Sequence, residues 1–258
     1  APAGRPIEGL TLRPGWESFV GAGPMPMRHG LTLGELGRWF IDHFKLDLAY
    51  RVIEMEGYRP DEGPGFGWPI GARTWVNPSP NAPNLFMALP YAAMFIVTGA
   101  TLSEGRATTR PLEIFGAGDI DARAVMAEMH RLAPHWLQGC RLREIWFEPT
   151  FHKWEGQLCH GVQIHTEDPA FYDHQAFKPW RLQALAFKAI RRLYPDYQLW
   201  REFAYEYVFD KLAIDVINGG PLLREWVDDV SAGPADLDAI AGPDEAAWAQ
   251  ARRTYLRY

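Results

Sequence analysis

A chain of 258 residues, 47% hydrophobic and 22% charged, can bury one large core or two moderate ones, which excludes a disordered segment. The net charge of -6, with lysines and arginines scattered rather than clustered, gives no phosphate-tracking surface, so nucleic acid is not an expected partner. No window approaches the roughly 18 consecutive apolar residues of a membrane span, and the opening APAGRPIEGL lacks the charged and apolar regions of a signal peptide.

Thr32 and Glu35 form a capping-box pattern, and Leu36, Phe40 and Phe44 follow at a spacing of four, predicting an amphipathic helix over 32–44. The alternation of LAYRVIEME predicts a strand over 48–56. MFIVTG predicts a second strand over 94–99, covered on both faces. Between them, residues 61–84 are too rich in Gly and Pro for regular structure and read as a loop that walls a cleft. A helix is predicted over 120–133, then strands over 143–151 and 161–165. The long helix over 178–194 carries Pro179 near its start and one stripe of Leu182, Leu185, Ala186, Ala189, Ile190 and Leu193. Helices over 207–217, 221–230 and 243–258 follow, the last two announced by Pro221 and Pro243 just after Gly. The fold class expected is α/β, with a boundary near residue 117 between an α/β half and an α+β half.

The 11 tryptophans fill a core and also suit a cleft that offers flat apolar faces. The densest polar motif is LSEGRATTRPLE, which places Glu104, Arg106, Arg110 and Glu113 directly after the predicted strand MFIVTG. Ligands collect at the carboxyl ends of strands in open α/β sheets, although the same residues also suit an ion-pair network. Asn81, beside Pro80 and Pro83, is a candidate rigid hydrogen-bonding arm, and His29 lies in a turn-rich stretch. His152, His160, His165 and His174 fall close together with Glu155, Cys159 and Asp168. Their spacing matches no HExxH or Cys/His zinc pattern, so a metal hydrolase is a minor reading. None of Ser18, Ser79, Ser103 and Ser231 sits in GxSxG, and there is no GxxxxGK[ST] phosphate loop. Cys140 and Cys159 fit two thiols as well as one disulfide.

Six strings in register resemble the NamZ exo-β-N-acetylmuramidases, a family of peptidoglycan hexosaminidases. They are IEGLTLRPGWESFVG (7–21), PMPMRHGLTLGEL (24–36), NPSPNAPN (77–84), LSEGRATTRPLEIFGAGDID (102–121), FEPTFHKWEGQLCHGVQIHTED (147–168) and FDKL (209–212). The resemblance implies an enzyme that releases terminal N-acetylmuramic acid from peptidoglycan fragments in cell-wall turnover, in an extracytoplasmic or periplasmic setting. It implies a partial Rossmann-like N-terminal domain over 1–116, then a smaller α+β C-terminal domain over 117–258. The family's earlier PEHG motif, with its catalytic glutamate, has no counterpart string, so the chain reads as an N-terminally truncated copy. The family's Glu-Gly-Arg-Gly stands here as Glu104, Gly105, Arg106 and Ala107.

The resemblance assigns the lactyl carboxylate of muramic acid to Arg106 or Arg110, since a planar guanidinium can hold a carboxylate through two hydrogen bonds. Glu104 is then the second carboxylate of the hydrolysis, with Glu8 behind it, while Asn81, His29 and Gln163 are candidate hydroxyl or acetamido contacts. The expected partner is a peptidoglycan-derived sugar or muropeptide, with no cofactor and no metal. The alternative is a catalytically inactive muropeptide-binding protein.

Overall fold

A computed structural model describes residues 5–258. The chain opens on an antiparallel ribbon of β1 (Glu8–Thr11) and β2 (Pro26–Arg28). The outer edge of β1 is closed by carboxylates from the far end of the chain. Gly9 N–H donates to Glu245 and Thr11 N–H to Asp244.

The first helix, α1 (Leu33–Phe44), forms where the sequence predicts it. Thr32 Oγ1 accepts from Glu35 N–H while the Glu35 carboxylate accepts from Thr32 N–H, which satisfies two donors that a helix start leaves open. Glu35 is fully buried and also accepts from Arg257 N–H at 2.7 Å, so one side chain starts α1 and anchors the carboxyl terminus.

Two predicted strands are not strands. Residues 48–56 are irregular and lie against α1 and the carboxyl terminus: Tyr50 donates to Gly34 O and Met55 N–H to the Tyr258 hydroxyl. Alternation sets a face, but a strand also needs an edge to pair with, and this segment has none among the described residues. MFIVTG is buried as expected, with Met94, Ile96 and Val97 fully inaccessible, but it ends α3 (Tyr91–Met94) and continues as a 3-10 turn over Phe95–Gly99. A short apolar run reports burial and not backbone type. Close packing governs here, because Gly99 sits against the backbone of Ile214. α2 (Leu85–Ala88), capped by Asn84, precedes α3 and was not predicted. The 61–84 stretch is irregular, as predicted.

β3 (Ile114–Ala117), β4 (Arg141–Phe147) and β5 (Cys159–His165) form one antiparallel sheet in the order β3-β5-β4. The predicted strands at 143–151 and 161–165 are β4 and β5, while β3 was not anticipated. The chain is thus a mixed α/β protein, but every strand pairing among the described residues is antiparallel, so 5–116 holds no parallel Rossmann-like sheet. α4 (Ala122–Leu132) is capped by the Asp121 carboxylate and packs on this sheet. Cys140 and Cys159 are separate free thiols.

α5 (Pro179–Leu193) buries its predicted apolar stripe from Leu182 to Ile190, with Leu193 exposed, and is buried on every side from Pro179 to Ile190. Its polar face is therefore paired. Arg181 binds Asp238 and Glu245, and Lys188 donates to the carbonyls of Trp226 and Asp229. α6 (Ala213–Asn218) begins later than predicted, and α7 (Leu222–Asp228) follows. α8 (Pro234–Ala251) begins nine residues before the predicted start, at the first of two Gly-Pro pairs, with Pro243 inside it. The Asp236 carboxylate accepts from Gly233 N–H, and this cap favours the earlier start. One core runs from Leu10 to Ala241 around α5, and a smaller one joins Leu31, Trp39 and Trp248. No helix among the described residues is long and apolar enough to cross a membrane.

A Cβ at residue 99 would lie 2.6 Å from the Ile214 backbone, which cannot yield as a side-chain tip can. Gly99→Ala is expected to lower the unfolding free energy by about 1–3 kcal/mol, read as a lower urea midpoint at unchanged slope.

Candidate functional site

An open cleft of about 590 Å³ gathers segments that are far apart in sequence. The Pro-rich loop brings Asn81, the 3-10 turn Phe95 and Thr98, and the loop before β3 Arg106. The β4–β5 connection brings Phe151 and His152, and the stretch before α6 brings Arg201 and the run Phe203–Tyr207. The Glu104 motif follows a 3-10 turn, so its setting is not the carboxyl end of a parallel strand.

Glu104 lies behind the cleft wall, 1% exposed, and accepts from Arg106 Nε and Lys153 Nζ, each at 2.7 Å. Burial raises its pKa, but Lys153 and Arg106 outweigh burial and hold the carboxyl below its ordinary 4.5. Glu104 is therefore an anion at neutral pH. Lys153 also donates to the carbonyls of Val97 and Ala100. Burial lowers its pKa to about 8, against the pull of Glu104.

The backbone beside these groups is unusual. Ala107 has a left-handed φ of 61°; its N–H donates to Asn81 Oδ1 and its carbonyl accepts from Thr150. His152, Glu206 and Tyr207 also have positive φ, so left-handed non-glycine backbone gathers around the cleft.

Arg201 stacks its guanidinium 4.1 Å from the Phe203 ring centre, and its buried Nη1 has no hydrogen-bond partner among the described residues. The Thr98 hydroxyl is in the same condition. Arg106 and Lys153 pair with Glu104, and Arg201 and Glu206 line the same cleft, which leaves one positive charge in excess among these five groups, with two polar atoms unpaired. Between Phe95, Phe151, Phe203 and Tyr205, such a site suits a ligand with an acidic group and flat apolar faces.

Of the residues picked out in the sequence, Arg106 and Asn81 line this cleft and Glu104 supports it. Arg110 does not; it turns to Glu113 at 2.9 Å, and Glu113 accepts from Asn84, a pairing that braces the loop onto α2. Glu8 is a structural carboxylate, 1% exposed, that accepts the Trp180 and Arg181 N–H groups opening α5 and faces Arg28 and Arg181. Gln163 is spent on its cross-strand neighbour Arg143. The His29 ring accepts from Leu31 N–H and lines a separate cavity of about 240 Å³ that shares Phe95 with the cleft. Burial lowers the His29 pKa to about 4, so the ring is neutral. Among the described residues the 152–174 histidines form no group of three metal ligands with other His, Cys, Asp or Glu; His160 bonds Glu144 and His165 bonds Glu167.

Lys153, Arg201 and Thr98 were not anticipated. The available signal was WREFAYEY, an arginine among closely spaced aromatics, which a helix expected from 207 obscured. A larger groove of about 730 Å³ lies between α1, residues 50–58, Trp68 and Tyr258. Its lining holds no Asp or Glu side chain.

The fold and cleft define a mixed α/β protein with a cationic, aromatic-walled ligand site. Residues 1–86 match the family described as exo-beta-N-acetylmuramidase NamZ, N-terminal, and residues 89–258 match its C-terminal counterpart, so the chain belongs to the NamZ family. It is similar to the peptidoglycan beta-N-acetylmuramidase NamZ of Bacillus subtilis (strain 168), with 35% identity over 210 residues, covering 81% of this chain and 47% of that protein. Crystal structures of two DUF1343 family proteins from Bacteroides fragilis share the fold, with TM-scores of 0.76 and 0.69 at 22% and 21% identity. They cover 99% and 100% of this chain and 63% and 64% of their own. The chain thus spans about half the length of the curated relative.

Two outcomes are expected. Glu8→Ala would remove the buried carboxylate that faces Arg28 and Arg181 and would uncap α5, lowering stability by about 3–5 kcal/mol in denaturant unfolding. Glu104 has a depressed folded pKa, so its stabilisation is present above pH 4.5 and lost as pH falls through that folded pKa. Thermal midpoints should therefore fall on acidification below pH 4.5, and Glu104→Gln should flatten that limb while lowering the neutral-pH midpoint.

Proposed function

We propose that the cleft holds the terminal N-acetylmuramic acid of a peptidoglycan fragment, and that the protein acts as an exo-β-N-acetylmuramidase in cell-wall turnover. The observation that carries this reading is the pair of guanidiniums, Arg106 and Arg201, set among aromatic rings with buried polar atoms unpaired. Muramic acid differs from N-acetylglucosamine by a lactyl ether that ends in a carboxylate. That group supplies a negative charge to match the excess positive one and acceptor oxygens for the unpaired donor of Arg201, while the pyranose faces suit the rings. Family membership supports the same substrate class.

In this reading Glu104 is a positioning residue. It fixes Arg106 through Nε, leaving the terminal nitrogens for the ligand, and as a buried carboxylate it is not the proton donor. Asn81 holds the Ala107 backbone in the conformation that aims Arg106 at the cleft. Hydrolysis also needs an acid at the leaving oxygen and either a second carboxylate or the substrate's own acetamido group. Glu206 is the carboxylate among the lining residues. An extracytoplasmic or periplasmic setting goes with this substrate.

Titration calorimetry of the 258-residue chain with N-acetylmuramic acid and N-acetylglucosamine tests the reading. The acidic sugar is expected to bind more tightly, and Arg201→Met or Arg106→Met should each weaken it by about 10–100-fold while changing the neutral sugar little. Equal affinity for the two sugars would sink the assignment. A chromogenic β-N-acetylmuramic acid glycoside then tests turnover.

A further inference from the structure

Tyr207 sits at the solvent side of the cleft on a two-residue turn. Tyr205 and Val208 exchange both backbone hydrogen bonds, at 3.0 and 2.9 Å, with Glu206 at φ 47° and Tyr207 at φ 68° between them. Both central residues are left-handed, the geometry of a type I′ turn, which is normally filled by Asn-Gly or Asp-Gly because a Cβ is crowded there. A tyrosine in that position costs stability, and burial does not offset the cost, since Tyr207 is 83% exposed. What the strained turn achieves is placement. It stands an aromatic face at the mouth of a cleft whose inner end is cationic, and Phe19 supports the ring edge-on at 6.4 Å and 77°.

We infer that Tyr207 is a stacking platform for the sugar on the leaving-group side of the terminal muramic acid, and so sets the preference for a glycan over a single sugar. The inference rests on the reading of the cleft given above. If the carboxylate is held inside by Arg106 and Arg201, the rest of an oligosaccharide must leave past the exposed lip. Tyr207 there offers a flat face to the C–H side of a pyranose, with its hydroxyl free for a sugar oxygen.

The test uses the intact chain with Tyr207→Gly and Tyr207→Trp. Each is titrated with N-acetylmuramic acid and with the disaccharide in which its C1 is β-linked to N-acetylglucosamine, and each is melted without ligand. Wild type should bind the disaccharide more tightly than the monosaccharide. Tyr207→Gly should lose about tenfold for the disaccharide and little for the monosaccharide, while its melting temperature rises because the turn is relieved. Tyr207→Trp should keep the disaccharide preference. A variant that gains stability while losing only the disaccharide separates a binding role from a structural one. The inference is overturned if Tyr207→Gly weakens both sugars equally or neither, or if wild type shows no disaccharide preference. Wild type binding neither sugar would overturn the cleft reading itself, and this inference with it.

Discussion

The cleft depends on one buried carboxylate. Glu104 receives Arg106 from its own loop and Lys153 from the β4–β5 connection, and Lys153 also holds the carbonyls of Val97 and Ala100 at the 3-10 turn. Three chain segments thus meet at one ammonium and one carboxylate. A buried charge without a partner is very costly, so each group constrains the other and their loops with them. This fixed triad is what allows irregular loops to present a guanidinium in a defined place, a role usually given to helices and strands.

The same logic recurs at the centre of the fold. α5 is enclosed on all sides, so Arg181 and Lys188 cannot reach water and are matched by carboxylates and carbonyls from α7, α8 and their connections. Glu8 closes the amino end of this helix, where two free N–H groups and the helix dipole favour an anion. A residue that reads in sequence as a spare catalytic acid is thereby accounted for by helix capping. The ribbon, α5 and α8 are bound into one body by Glu8, Asp244 and Glu245, and the cleft loops hang from that body.

Strain and unpaired polar atoms concentrate where the ligand is proposed to bind. Ala107, His152, Glu206 and Tyr207 hold left-handed backbone there, and Arg201 and Thr98 keep buried polar atoms unmatched. Each costs free energy in the empty protein, and each would be offset by an acidic ligand with flat faces. The cleft is thus organised for its proposed ligand before binding, which reduces what must be ordered on association.

The amino-acid sequence by itself determined the features that rest on local rules. Capping at Thr32 and Glu35, the apolar stripe of α5, the Pro-rich loop over 61–84 and the family strings are all legible because each depends on neighbours within a few residues. Tertiary structure decided the rest. MFIVTG became a 3-10 turn because Gly99 packs against Ile214, and 48–56 stayed irregular because it found no strand edge. Arg110 and Arg106 look equivalent in sequence, yet one is consumed by Glu113 and the other is aimed at the cleft by Glu104. Arg201 and Lys153 join Arg106 across about 50 to 100 residues of chain, a distance over which no periodicity or motif carries information. Which charges meet is settled by packing, because a charge pair is strongest at contact and contact is a property of the folded chain.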